Sequence, residues 1–398
     1  MRTGGVLTLR GWKGYDLAIS LAPVTFLVGP NGSGKSSLLE ALALISHLAR
    51  RNSLQDDLRP WLRGWPDGVF SRSGVGRPVH EVSIEMQWGK GHYKLTLRNP
   101  QRPEICHESL IVGPHTFIET ISKGRGRTRK FYGLGAGRPL ETDDPYESAL
   151  ALISRSRKKC GSARALVDLL SAMEVYALDA DFLRGTAVDT RPIPYQRKGT
   201  SLVAGLLDAD RLPSMRKQVL AALHAIQPDL AGFRTTAKPR GAVLSYSDGR
   251  EVDLDEESDG LVRAAGMFLV RYRPDCPSIL AFDEPENGYH LSRLVEVVTR
   301  LAPASSAGAQ GPRLVILATH SPAFVEKAVR ALRGDVGVVS LWRAAGGEVL
   351  ASQWAGEELL EKDGLAAMLA QAFGGNTLGR RARGTTSRDF IDPDLRSG

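Results

Sequence analysis

Val28-Gly29-Pro30-Asn31-Gly32-Ser33-Gly34-Lys35-Ser36-Ser37 is the stretch on which the reading of this chain turns. The apolar run Val24 to Val28 ahead of it predicts a buried strand. Ser36 to Leu48 behind it, with apolar residues at Leu38, Leu39, Ala41, Leu42 and Ile45, predicts a helix. The spacing G-x-x-x-x-G-K-S between a strand and a helix is that of the phosphate-binding loop. Gly29, Gly32 and Gly34 let the backbone turn tightly, so that successive N–H groups face phosphate oxygens. The helix that begins there adds the positive end of its dipole. Lys35 is expected to reach the β- and γ-phosphates, and the Ser36 hydroxyl to be a ligand for Mg²⁺. Pro30, Asn31 and Ser33 complete the cradle, and Ser37 is expected to add a phosphate contact. The stretch therefore predicts a nucleoside triphosphate site.

The 398 residues can bury a large core and suggest two or three lobes. At 42% hydrophobic and 24% charged, the composition is that of an ordinary globular protein. No apolar run reaches the ~20 residues needed to span a bilayer, so no membrane insertion is expected. Met1-Arg2-Thr3-Gly4-Gly5 leads into an alternating strand and carries no signal-peptide pattern. Cys106, Cys160 and Cys276 are far apart and form no C-x-x-C pair. They argue against a disulfide framework or zinc ribbon and suit a reducing cytoplasm. The net charge of +8 fits a polyanionic partner, although arginines scattered over a solvated surface would give the same value.

Taken in order, residues 5–28 predict strands at Val6 to Leu9, Tyr15 to Leu21 and Val24 to Val28. Residues 51–79 read as a polar extended loop with one short helix. Val82 to Met86 and Tyr93 to Leu97 form a hairpin, with more antiparallel strand to about Tyr132. Within it, Lys123-Gly124-Arg125-Gly126-Arg127-Thr128-Arg129-Lys130-Phe131-Tyr132 is the densest basic stretch. It reads either as a track for a phosphate backbone or as a solvated hairpin tip. Pro145 to Met173 is helical in pattern, broken by a polar link, Arg155-Ser156-Arg157-Lys158-Lys159. A strand at Glu174 to Leu178 and a helix over 212–226 follow, then antiparallel strands over 231–254. The predicted organisation is a discontinuous head of residues 1–140 and 231–355, a helical insert or lid at 141–230, and C-terminal helices with a mobile tail at 356–398. No heptad repeat is long enough for a coiled coil.

Two continuous apolar runs in the second half predict strands of a covered parallel sheet: Ser278 to Glu284 and Leu314 to His320. The first delivers Asp283 and Glu284 to the carboxyl edge of the sheet, where ligands of open α/β sheets bind. Asp283 can hold Mg²⁺ directly or through water, and Glu284 can polarise the water that attacks the γ-phosphate. The second delivers His320, which can contact the γ-phosphate or that water, and then Ser321 as an N-cap before Pro322. Ser258 can cap a helix over Leu261 to Val270 whose N-terminus makes an anion site, although any N-cap would look similar.

The ordered set GPNGSGKS at 29–36, ESDGL at 257–261, ILAFDEPENGYH at 279–290 and ATHSP at 318–322 resembles the ABC-class ATPase heads of the RecF/SMC type. The compact OLD-like and RecF-like AAA members are the most similar. The resemblance covers about residues 1–50 and 240–330. It implies an α/β P-loop NTPase of ABC type, with a mixed sheet, an antiparallel β subdomain and a helical insert, that binds ATP and Mg²⁺ and hydrolyses ATP. It also implies a homodimer sandwiching two ATP molecules. Ser258 and Gly260 would act in trans, Lys35, Asp283 and Glu284 in cis, His320 as the switch histidine, and Glu286 to His290 as the segment crossing the interface. The family's Q-loop glutamine has no clear match, with Gln87 as a candidate. Neither a long coiled coil nor an acidic metal cluster like that of TOPRIM nucleases is apparent. The expected role is an ATPase switch acting on DNA or on a nuclease or effector partner, in repair or phage defence. The alternatives are the ATPase subunit of an ABC transporter, whose usual LSGGQ is replaced here by Ser258-Asp259-Gly260-Leu261, and an ATP-dependent regulator that sequesters an effector protein.

Overall fold

The first and second halves of the chain interleave in one seven-stranded sheet of the computed structural model. Its order is Tyr195–Gln196, Met173–Tyr176, Ile279–Asp283, Leu314–Thr319, Val24–Val28, Val336–Arg343 and Val349–Ala355. The structure describes residues 4–50, 53–59, 62–72, 78–123, 126–132, 138–155, 161–184, 195–196, 202–237, 240–303, 311–332, 336–360 and 364–373. All neighbouring strands run parallel except the last pair. Asp283 stands beside Ala318, and Thr319 beside Val28, so the strand ends that carry the predicted chemistry are level at one edge.

Continuous apolar strands are needed because both faces of this sheet are covered. Leu27, Ala281, Ile316 and Val339 join the core that contains the helix Lys35–Ala49. Their neighbours Phe26, Phe282, Leu317 and Val338 join a second core with the helices Asp259–Tyr272, Leu291–Leu301 and Pro322–Leu332. The period of two along each strand thus separates the two cores.

The first core is roofed by an eight-stranded antiparallel sheet. Its order is Tyr15–Leu21, Gly5–Trp12, Glu81–Trp88, Gly91–Arg98, Glu104–Val112, His115–Lys123, Gly126–Phe131 and Leu140–Thr142. The segment expected to be a polar loop contributes buried Leu54, Leu58, Leu62, Val69 and Phe70 to that core. A third sheet, Leu230–Ala237, Arg240–Tyr246 and Glu251–Asp253, shares the second core with the helices Leu202–Arg211 and Pro213–Ile226.

The insert drawn at 141–230 is therefore corrected. Met173–Tyr176 is a strand of the central sheet, in parallel register with Ile279–Asp283, and Gly161–Ser171 packs in the first core beside the helix Lys35–Ala49. The strands over 230–253 belong with the helices of residues 202–226 instead of the head. The strand expected at Glu174 to Leu178 is present at Met173–Tyr176, but pattern alone gave no sign that so short a strand pairs with Ile279–Asp283, more than a hundred residues away.

The basic stretch beginning at Lys123 is partly consumed internally. Arg127 donates to the Cys106 carbonyl. Arg129 is buried, paired with the buried Glu108 at 3.5 Å, and donates to the carbonyls of Ile105, Asp144 and Glu147. Gly124, Arg125, residues 156–159 of the second basic cluster and the tail from residue 374 lie outside the described residues. Among the described residues no helix is long and apolar enough to cross a membrane.

Candidate functional site

The loop between Val24–Val28 and Lys35–Ala49 is shaped by contacts that only glycine allows. A Cβ on Gly29 would come within 2.1 Å of the Leu341 carbonyl oxygen. Gly34 has φ +112° with the Tyr15 hydroxyl against it. Tyr15 donates to the Gly34 carbonyl (3.0 Å), and Arg343 Nε to the Gly32 carbonyl (3.1 Å), so two neighbouring strands hold the loop. Ser33 closes a turn on the Pro30 carbonyl (3.2 Å), and Trp12 donates from its indole to the Ser37 carbonyl (2.8 Å). Lys35 Nζ lies across the loop, donating to the carbonyls of Gly29 (2.8 Å) and Pro30 (3.0 Å). Burial pushes its pKa down, and Asp283, Glu284 and Glu286 oppose that shift. The ammonium is thus held where a phosphate oxygen would replace the carbonyl acceptors.

Ser36 and Asp283 lie near each other, close enough for the serine hydroxyl to lower the pKa of the aspartate. Burial raises the Asp283 pKa, Glu284 adds to the rise, and the Ser36 hydroxyl opposes it. Asp283 Oδ1 is buried without a hydrogen-bond partner. A hydroxyl beside a buried, unsatisfied carboxylate oxygen is a hard oxygen donor set of the kind Mg²⁺ takes, together with substrate phosphates. Glu284 follows with φ +53°, in the left-handed region uncommon for a side chain of its size. Its N–H donates to the Ala318 carbonyl (2.8 Å) and its carboxylate accepts from Asn287 Nδ2 (3.1 Å).

Glu286, read from the resemblance as the start of an interface segment, makes its hydrogen bonds within its own chain. Its Oε1 accepts from Thr319 Oγ1 (2.6 Å) and the His320 N–H (2.9 Å) and lies 3.1 Å from His320 Nδ1. The His320 side chain is 46% exposed and that of Glu286 only 11%, so the carboxylate anchors the ring while the ring faces outward. Sequence reasoning also missed Glu40, fully buried one helical turn beyond Ser36. It pairs with Lys13 and with Arg63 (2.6 Å), and Arg63 in turn acts on the charge of Asp283. A glutamate within an apolar helical run was the available signal, since such a charge must find partners.

Ser258 caps the helix Asp259–Tyr272, its hydroxyl accepting from the Leu261 N–H (3.4 Å). The helix begins two residues earlier than its apolar pattern suggests. A Cβ on Gly260 would lie 2.6 Å from the Gly288 carbonyl oxygen, and Arg263 donates to the Asn287 carbonyl (2.6 Å). The segment that leaves Glu284 therefore ends against this helix. Arg184, not anticipated, donates to the Glu257 carbonyl (2.5 Å) and to Asp259 (2.7 Å), gripping Ser258 from both sides. The hydrogen bonds of Ser258 run to Glu257, Leu261 and Val262 and not to the phosphate loop.

Gln87 is not placed at the site. It pairs with Val6, whereas the other end of that strand, Trp12, is the one bonded to Ser37.

Residues 24–103 and 164–326 match the model of the family described as "AAA domain, putative AbiEii toxin, Type IV TA system". The fold is shared with an Smc head bound to the C-winged helix domain of ScpA (TM-score 0.53, 10% identity, covering 89% of this chain and 98% of that one). It is shared equally with an Smc head carrying an extended coiled coil, bound to the C-terminal domain of ScpA, from Pyrococcus furiosus (TM-score 0.52, 10% identity, 90% and 97%). These likenesses establish the fold of an Smc head.

Proposed function

The chain belongs to the AAA-domain family whose model spans more than half of it, a P-loop ATPase family, and from that premise we propose that it is an ATP-hydrolysing switch that dimerises on ATP. The observation that carries this reading is the nearness of Ser36 to Asp283 beside Glu284, with Glu286 holding His320 at the end of the adjoining strand.

In this reading Gly29 to Ser37 bind the triphosphate, and Lys35 exchanges its carbonyl acceptors for phosphate oxygens. Ser36 and Asp283 hold Mg²⁺, which when bound supplies positive charge to the phosphates. Glu284 orients and polarises the attacking water, and Asn287 fixes its carboxylate. Glu286 holds His320 at the γ-phosphate end of the site. Ser258 and Gly260, whose contacts run to their own helix and to the 284–290 segment, reach the γ-phosphate of a second copy. The separate hydrogen-bonding of Ser258 supports that assignment in trans.

The output of the switch goes to DNA or to a partner that processes nucleic acid. The family description, which names an AbiEii toxin and a type IV toxin–antitoxin system, supports a defence setting with an effector partner. The Smc heads bound to ScpA domains are heads of this fold that carry a partner protein.

Glu284→Gln is expected to bind Mg·ATP without turnover and to double in mass by light scattering. Adding Ser258→Arg is expected to return it to the monomer. A Glu284→Gln protein that hydrolyses ATP at the wild-type rate, or a Ser258→Arg protein that still dimerises, would remove the reading.

A further inference from the structure

A cavity of about 430 Å³ lies at the edge of the central sheet opposite the phosphate loop. The strand Leu314–Thr319 ends at the ATP site, and Arg313, the residue before its start, lines this cavity. The other walls are two turns of the antiparallel sheet, carrying Trp88, Lys90 and His115, and the first turn of the helix Gly161–Ser171, carrying Ser162. Leu166 and Leu169 form an apolar floor. Among the described residues no carboxylate lines it.

The charge pattern here differs from that of the third sheet. There, surface arginines are matched: Arg234 with Glu251, and Arg250 with Asp248. Lys90, His115 and Arg313 are exposed and share one concavity with only hydroxyl and apolar neighbours. The aromatic wall is packed against the backbone behind it. A Cβ on Gly5 would come within 2.8 Å of the Trp88 ring, so the glycine backbone lies directly against the indole. The floor is equally fixed, since a Cβ on Gly91 would come within 2.7 Å of Leu166. Cations at the rim, a held indole on one wall and an apolar floor fit a ligand with an anionic head and a flat body, and the volume is that of a small-molecule site.

We propose that this cavity binds a 5′-phosphorylated nucleoside unit, its phosphate on Lys90, His115 and Arg313 and its base against Trp88. The unit comes either from a free mononucleotide or from the end of a strand. This site is separate from the ATP site and stands whether or not the chain dimerises on ATP. It is mechanically connected to it: the far end of the same wall helix offers the Ser171 carbonyl to Arg50 Nε (2.7 Å) and Ser46 Oγ (3.2 Å) at the end of the phosphate-loop helix.

The test is binding of dTMP and of 5′-phosphorylated dT12 to the full chain, followed by tryptophan fluorescence and calorimetry in a Lys35→Ala background that silences the phosphate loop. Trp88→Ala and the Lys90→Ala/Arg313→Ala pair are each expected to weaken binding about tenfold or more, and Lys35→Ala to leave it unchanged. Trp88→Phe, which keeps a stacking face and guards against a folding defect, is expected to retain most of the affinity. Tight binding of dTMP itself assigns a free nucleotide; binding of dT12 that dTMP does not displace assigns a strand end. In the second case the double variant lowers the salt dependence by about 0.7 for each phosphate it no longer neutralises. Failure of both probes to bind, affinity indifferent to these residues, or equal displacement by poly-glutamate overturns the proposal. ATP-dependent mass doubling of Glu284→Gln is measured separately, so the two readings fail independently.

Discussion

Asp283→Asn is expected to stabilise the nucleotide-free protein while removing its response to Mg²⁺. The carboxylate has one buried oxygen without a partner and a second carboxylate, Glu284, next to it. Burial and that repulsion outweigh the Ser36 hydroxyl and the charges of Arg63 and Lys35, so the free site favours the neutral form. Asparagine supplies a neutral group of the same shape and still offers an oxygen to Ser36. Leaving a buried polar group unsatisfied costs about 1–3 kcal/mol. Because Asp283 keeps some exposure, the gain belongs to the lower part of that range, about 1–2 kcal/mol. An unfolding entropy of about 2.1 cal/mol/K per residue over 398 residues converts this to a rise of roughly 1–2 °C in Tm. Wild type at a hundredfold excess of Mg·nucleotide over Kd gains about 2.7 kcal/mol, or roughly 3 °C, and the variant loses most of that. The order of the two proteins therefore inverts between EDTA and Mg²⁺ with a non-hydrolysable ATP analogue, which calorimetry reads directly.

The pH dependence follows from the same shift. A carboxyl group whose folded-state pKa is raised contributes stability that is full below its ordinary value of 3.8 and lost as pH rises through the folded value. Asparagine stays neutral throughout. The advantage of Asp283→Asn in EDTA thus vanishes towards pH 4 and grows to its full size above the raised pKa. A variant that melts below wild type in EDTA at pH 8, or one that keeps the full Mg²⁺ response, refutes the reasoning.

Glu286→Gln is expected to lower kcat about 10- to 100-fold with KM for ATP within about threefold, because the anchor of His320 is removed and the phosphate loop is untouched; an unchanged kcat contradicts the role given to Glu286. Gly260→Ala places a methyl group 2.6 Å from the Gly288 carbonyl and pushes the helix start away from the segment 284–290. ATP binding should survive and ATP-dependent dimerisation should fall at least about tenfold, with about 1–3 kcal/mol lost from the fold. Arg184→Ala should lower dimer-dependent turnover without changing ATP affinity. Arg184→Lys should rescue little, since two acceptors on either side of Ser258 need the guanidinium fork; rescue by lysine would show that charge alone suffices.

Much of the site was legible because its residues sit at ends of elements that announce themselves. A five-residue buried run before glycines, and two more ending in Asp-Glu and Thr-His, bring the phosphate loop, Asp283 and His320 to one level edge of the sheet. The inward turn of Glu286 was not legible, because it depends on the left-handed conformation at Glu284, which redirects the chain after Pro285. The Glu40 pair was hidden for a different reason. Its partners Lys13 and Arg63 are 27 and 23 residues away in sequence, and no local period joins them. The strand Met173–Tyr176, expected as a strand but assigned to an insert, shows the limit of periodicity itself: all four residues are buried, and no local pattern names Ile279–Asp283 as its neighbour.

That short strand explains how the helix that follows the phosphate loop and the helix that begins at Ser258 are held in one frame. Glu174, 7% exposed, accepts from Arg50 (3.1 Å) and Arg273 (2.8 Å), and the Tyr176 hydroxyl donates to its other oxygen. Arg50 caps the C-terminus of the phosphate-loop helix, and Arg273 that of the helix that begins at Ser258. Both basic residues complement the negative helix ends there. Breaking a buried pair of this kind costs about 3–5 kcal/mol, so these two ends are fixed to the strand beside Asp283. The opposite end of the second helix rests on Arg184 and on the 284–290 segment, whose own position depends on Glu284. A helix pinned at its C-terminus and seated at its N-terminus on the 284–290 segment puts Ser258 in contact with the chain that leaves Glu284. Under the proposed function, that contact is the geometric requirement for a switch that couples hydrolysis to dimer contact.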